Sequence, residues 1–127
     1  MFTIQTERCP GFLRIAVAGR AGVDETCAGA LFCGDLLRRT ASRRVLFDLG
    51  AFFPEFTRAD GIDVLSALYS SLPALERLGV VVPADRSLGL LLEVARHRNV
   101  PARQFDDFSE GTAWIQEGMP SKGIATE

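Results

Sequence analysis

The chain has 127 residues, of which 47% are apolar and 24% charged, and its formal net charge is −2. That length fits one domain able to bury roughly two-thirds of its unfolded surface, and the composition excludes a disordered or collagen-like chain. The slight acidic excess disfavours nucleic-acid binding through phosphate contacts. No apolar run approaches the roughly 18 residues of a membrane-spanning helix. The N-terminus, Met-Phe-Thr-Ile-Gln-Thr-Glu, has no basic region ahead of an apolar stretch and so no secretory signal. A cytoplasmic protein without stable membrane insertion is expected. Arginine supplies every basic residue but Lys122, a bias that carries no functional weight.

Cys9, Cys27 and Cys33 form no CxxC pair, and the one histidine, His97, is far from them in sequence. Neither a disulfide framework nor a zinc spacing can be read from this pattern, so no metal or cofactor is expected. The cysteines read as small apolar residues in a reducing compartment.

Taken in chain order, Phe2–Thr6 alternates as a strand, Cys9-Pro10-Gly11 is turn material, and Phe12–Val17 is a second strand. Residues 2–18 therefore predict an antiparallel hairpin, and Gly19–Val23 breaks its pattern. Asp24 is the expected N-cap of a helix running to about Thr40, with a core stripe of Thr26, Ala30, Cys33, Leu37 and Ala41. Ala28, Leu31 and Phe32 lie off that stripe, so the helix is apolar on more than one side. Val45–Leu49 predicts a central strand covered on both faces. Gly50–Phe56 reads as a loop with three phenylalanines.

Thr57-Arg58-Ala59-Asp60 has the form of a capping box and opens a second helix, whose stripe is Gly61, Leu65, Leu68 and Leu72, ending near Pro73. Arg77–Val82 is the next strand. Asp85 or Ser87 caps a third helix with Leu88, Leu91, Leu92 and Ala95 inward, and Asn99 closes it in a left-handed conformation. Ala102–Phe105 is a short strand, and Ser109 caps a last helix to about Glu117, in which Trp114 should pack on the sheet. The order β-β-α-β-α-β-α-β-α predicts one α/β domain over residues 1–117, with a mostly parallel central sheet flanked by helices. Residues 118–127 read as a flexible tail.

Two local patterns carry a family resemblance. Val45-Leu46-Phe47-Asp48-Leu49 looks like a central strand ending in an Asp-Leu pair. Arg103-Gln104-Phe105-Asp106-Asp107 followed by Ala113-Trp114-Ile115 is similar to a last strand leading into a closing helix. With the element order, these resemble the STAS superfamily, specifically its SpoIIAA-like branch of anti-sigma-factor antagonists, over about residues 2–117. The resemblance implies that fold and a regulatory role through protein contacts. Where that branch carries a phosphorylatable Asp-Ser-Ser-Gly stretch, this chain has Arg58-Ala59-Asp60-Gly61, so Asp60 takes the phosphoserine place.

Several residues have a functional and a plainer reading. Thr57 and Asp60 are a candidate regulatory position, with Asp60 a fixed negative charge, but a capping pair explains them as well and is preferred. Ser66 is a further candidate phosphorylation site. Cys27, in the first turns of a helix, could be an activated thiolate of a thiol enzyme, but Asp24 and Glu25 oppose its ionisation. His97 lies between two arginines and makes a poor general acid. Asp106 and Asp107 suit the turn before the last helix rather than a catalytic pair. Arg38, Arg39, Arg43 and Arg44 could meet an anionic partner, but a solvated helix end is the simpler account.

Phe52, Phe53 and Phe56 either plug the core or line an apolar ligand pocket near the carboxyl ends of the strands, the plug being preferred. Ala28, Leu31 and Phe32 form a candidate interface, most economically of a homodimer. The sequence thus predicts a non-enzymatic module acting on a protein partner or a small apolar ligand. A phosphorylation-switched signalling component is the alternative, and a thiol enzyme using Cys27 a weaker one.

Overall fold

A computed structural model describes residues 2–86 and 89–118. The elements are β1 (Phe2–Cys9), β2 (Phe12–Ala21), α1 (Val23–Arg39), β3 (Arg44–Pro54), α2 (Arg58–Ser71), β4 (Arg77–Val81), α3 (Gly89–His97), β5 (Ala102–Phe105) and α4 (Phe108–Gln116). One sheet runs β1-β2-β3-β4-β5, antiparallel at the opening hairpin and parallel elsewhere. This is the single α/β domain, in the order, that the alternation of patterns predicts. Pro10 sets the first corner of the hairpin turn and Gly11, at φ 85°, the second, where a side chain would be strained.

Alternation along the strands divides the core. Leu13, Ile15, Val45, Phe47, Leu78 and Val80 face a larger cluster with Ala30, Cys33 and Leu37 of α1, Leu68 and Tyr69 of α2 and Leu91 and Ala95 of α3. Phe12, Leu46, Val81 and Phe105 face Ile115 of α4, with Trp114 packed against them. The sheet is therefore covered on both sides, with α4 on the second.

The structure corrects several local expectations. β2 continues through Gly19 and Arg20 to Ala21, because β3 pairs with it up to Pro54. The N-cap of α1 is Gly22 rather than Asp24, and the Glu25 carboxylate accepts its backbone N–H at 3.2 Å. Ala41 is exposed beyond the helix with φ 53°, and Gly34 joins the buried stripe in its place. In α2 the buried positions are Val64, Leu68, Tyr69 and Ser71, while Gly61, Leu65 and Leu72 are half-buried, since the helix meets both α1 and α3. The cap of α4 is Asp107, not Ser109; its carboxylate accepts the Glu110 N–H at 3.0 Å. Asp85 lies in a turn before α3, and Asn99 has the expected φ of 58°. Ser87, Leu88 and the tail beyond Gly118 lie outside the described residues.

Most of the Phe-rich stretch is strand rather than loop. β3 runs through it to Pro54, leaving only Glu55 and Phe56 of it in the connection to α2. The register with β2 shifts between Ala16–Asp48 and Ala18–Ala51, so β3 carries one extra residue beside Val17. Such a bulge reverses the alternation beyond it. Asp48 steadies the bulge by accepting the Gly50 N–H at 3.2 Å, and its other oxygen meets Arg14 at 3.4 Å.

Candidate functional site

Beyond the bulge, Phe52 falls on the same face as Phe47 and Leu49, towards α1 and α2. There the structure holds an apolar cavity of about 660 Å³, a size typical of small-molecule sites, which run to roughly 300–1,000 Å³. Val17, Phe47, Leu49 and Val82 form its floor. Ala30 and Cys33 of α1 and Val64, Leu65 and Leu68 of α2 form its walls, and Leu90 and Leu91 close the α3 side. Phe2 and Ile4 reach in from β1, and Phe2 meets Phe52 edge to face at 6.4 Å. Gly29 makes that approach possible: a Cβ there would stand 3.2 Å from the Phe2 ring.

Phe52 and Phe56 line this cavity rather than fill it; Phe53 lies outside it. The bulge sends the Phe53 ring to the other face, 46% exposed, between the guanidinium groups of Arg20 and Arg86 at 5.8 and 4.9 Å. Sequence reasoning missed Phe2, Val17 and Arg86 as cavity residues. Phe2 and Ile4 share one face in the sequence pattern, a usable signal, but Arg86 sits in a turn with no pattern of its own.

The remaining candidates are dispersed. Thr57 is the N-cap of α2, and its hydroxyl accepts the Asp60 N–H at 3.2 Å. Ser66 is exposed on α2. Cys27 is half-buried near Asp24, Asp60 and Asp63; desolvation first, then those three carboxylates, push its thiol pKa up. Cys33 is pushed up to about 11 by burial, and Cys9 is raised by desolvation and Glu7. None of the three thiols is activated, and none is in a disulfide. His97 is exposed at the end of α3. Among the described residues no group of three or more His, Cys, Asp or Glu is placed to hold a metal ion, and no helix is long and apolar enough to cross a membrane.

The arginine cluster separates. Arg39 pairs with Asp35 and Arg43 with Glu76, both at the surface. Arg44 is largely buried: it pairs with Glu76 at 3.0 Å and donates to the carbonyls of Ile115 and Glu117 at 2.8 and 2.7 Å, closing the C-terminal end of α4. Leu31 and Phe32 are 51% and 50% exposed on α1, beside exposed Ala28. A second depression, between β5 and α4, is lined by Arg103, Asp106, Glu110 and Glu117 beside Trp114.

Among solved structures, the chain is similar to an anti-sigma factor antagonist from Mycobacterium paratuberculosis, with a TM-score of 0.65 at 16% identity over 92% of this chain and 96% of that one. It is also similar to an uncharacterised protein with a SpoIIAA-like fold from Shewanella loihica, with a TM-score of 0.56 at 14% identity over 90% and 93% of the two chains. No family model and no curated protein matches the sequence. The fold is SpoIIAA-like, and identities this low speak to fold alone.

Proposed function

We propose that the protein is a cytoplasmic, non-enzymatic binding module of STAS type that holds a small apolar molecule between the sheet and α1–α3. One observation carries this reading: the cavity of about 660 Å³ walled by apolar side chains beside the carboxyl ends of the strands. Ligands of open α/β sheets bind at those ends. The raised thiol pKa values supply no nucleophile for the enzyme alternative. Native mass spectrometry of the full chain purified from cells tests the reading, together with uptake of a fluorescent apolar probe. A lipid-sized mass excess is expected, with probe binding lost in Gly61→Phe, which places a ring in the cavity from α2. Protein at its bare mass that also takes up no probe would overturn it.

A second reading concerns protein contact and is favoured by the exposure of Leu31 and Phe32. Two large apolar side chains side by side on an outer helix face suit an interface, and a second copy of the chain in a two-fold contact is the simplest occupant. That a protein of similar fold is an anti-sigma factor antagonist supports a regulatory role through such contacts. The phosphorylation-switched alternative has less support, because Thr57 already uses its hydroxyl as a helix cap.

A further inference from the structure

The mouth of the cavity carries charge that its walls lack. The exposed residues of the lining are Pro54, Arg58, Gly89 and Glu93, so the opening lies between the end of β3 and the N-terminal turns of α2 and α3. Arg86 stands half-buried in the same lining. Its position is fixed from two sides. β4 pairs with β3 only as far as Asp48–Val81, and beyond that point one terminal nitrogen of Arg86 donates to the carbonyls of Leu49 and Phe52, both at 2.9 Å. The Phe53 ring lies against the guanidinium.

Arg86 differs from the other sheltered arginines. Among the described residues, Arg14, Arg44 and Arg77 are also partly buried, and each has a carboxylate partner: Arg14 with Asp48 and Glu7, Arg44 with Glu76, Arg77 with Glu117. The arginines without an ion pair are otherwise exposed. Arg86 is sheltered and has none. A guanidinium presents five N–H donors in one plane, and the two carbonyls engage a single nitrogen, so its planar fork can still grip a carboxylate. Charge around the lining points the same way: Arg58 and Arg86 stand against one carboxylate, Glu93, an excess that matches a monoanion.

We infer that the missing partner is supplied by the ligand, and that the cavity takes a single-chain carboxylic acid. Its hydrocarbon chain lies among Phe2, Phe47, Leu49, Val64 and Leu65, and its carboxylate meets Arg86 at the mouth. This inference rests on the ligand-binding reading above and names its chemical class. Because Arg86 is already held by β3 and Phe53, the site is preorganised and loses little freedom on binding.

The test compares dodecanoic acid, dodecanol and dodecyl phosphate as displacers of a fluorescent apolar probe from the full-length protein. Wild-type protein is expected to bind the acid ~10-fold or more tightly than the alcohol, as a charge-assisted hydrogen bond implies. Arg86→Gln is expected to bind acid and alcohol within ~2-fold of each other. Arg86→Gln also loses a support of β3, so the wild-type comparison stands as the deciding measurement if that variant fails to fold. Equal binding of acid and alcohol by wild type would overturn the carboxylate assignment and leave the cavity reading intact. Binding of neither would sink both, and tighter binding of the phosphate would overturn the choice of head group.

Discussion

A Cβ placed on Gly34 of α1 would stand 2.1 Å from the Oγ of Ser71 on α2 and 2.8 Å from its carbonyl carbon. The two helices therefore meet with Gly34 directly against the Ser71 backbone, and the Ser71 hydroxyl folds back onto the Leu68 carbonyl at 2.9 Å. Replacing a helical glycine by alanine normally stabilises by ~1 kcal/mol. Here the clash outweighs that gain. Gly34→Ala should cost about 1–3 kcal/mol net, seen as a lower urea midpoint. A midpoint equal to or above that of wild type would mean that the helices separate at little cost.

The thiols give a chemical prediction. With Cys33 pushed up to about 11 by burial and Cys27 raised by desolvation and its three neighbouring aspartates, native protein at neutral pH should alkylate slowly at every cysteine. Denaturant should accelerate all three, and Cys27→Ala should leave the native rate unchanged. One rapidly modified thiol in the folded protein would revive the enzyme alternative.

Tyr69, the single tyrosine, predicts a loss of stability in base. Burial raises its pKa to about 12 from 10.0, with Arg98 opposing, and its hydroxyl donates to the Leu91 carbonyl at 3.2 Å. The unfolded chain therefore releases this proton before the folded one does. The stabilisation is complete below pH 10 and is lost as pH rises from there through about 12. Tyrosinate absorbance should appear only as the protein unfolds, and Tyr69→Phe should flatten the decline in stability across that window. Tyrosinate formation near pH 10 with the fold intact would contradict this burial.

Trp114 joins α4 to the sheet. Its ring meets Phe105 at 5.7 Å, and Arg77 lies over it at 4.9 Å while donating to its carbonyl. Because Trp114 is half-buried, its truncation to alanine should cost about 3 kcal/mol, the lower end for large aromatics. As it is the sole tryptophan, its native fluorescence reports the same contact. A melting curve of Trp114→Ala that overlays wild type would mean that α4 is not held by this ring.

The α1 surface gives a prediction about assembly. Leu31→Glu with Phe32→Glu changes two side chains that are about half exposed, so the variant should keep the wild-type circular dichroism and unfold cooperatively, its melting temperature lowered only by what dimerisation contributes. Wild-type protein should run as a dimer in light scattering and the variant as a monomer. A wild-type monomer at high concentration removes the dimer, and an unfolded variant assigns these residues to the core.

Local patterning foretells most of the fold because it depends on period and punctuation. The Pro10–Gly11 turn, the Thr57 cap, Asn99 and the strand Ala102–Phe105 all follow from residues next to one another in sequence. The cavity was harder to foresee, since its geometry depends on a register shift between strands more than thirty residues apart. Gly50–Phe56 has no clean alternation because the bulge breaks it, and the stretch therefore resembles a loop. Gly34 was hidden for a related reason: whether a helical glycine is a weakness or a contact depends on what faces it across the interface. Arg86 has no sequence signature because the carbonyls it serves belong to another strand.

The bulge in β3, not the order of its residues, decides which phenylalanine reaches the cavity. Were the same strand to pair with β2 without it, Phe52 would fall opposite Arg20 and Phe53 opposite Ala21. Phe53 would then face the helices and Phe52 the solvent, and Arg86 would lose the ring it rests on. In two proteins of this fold, strands of the same composition could thus present opposite sides to the same space. Aligning them by residue type alone would pair the lining of one with the outer surface of the other.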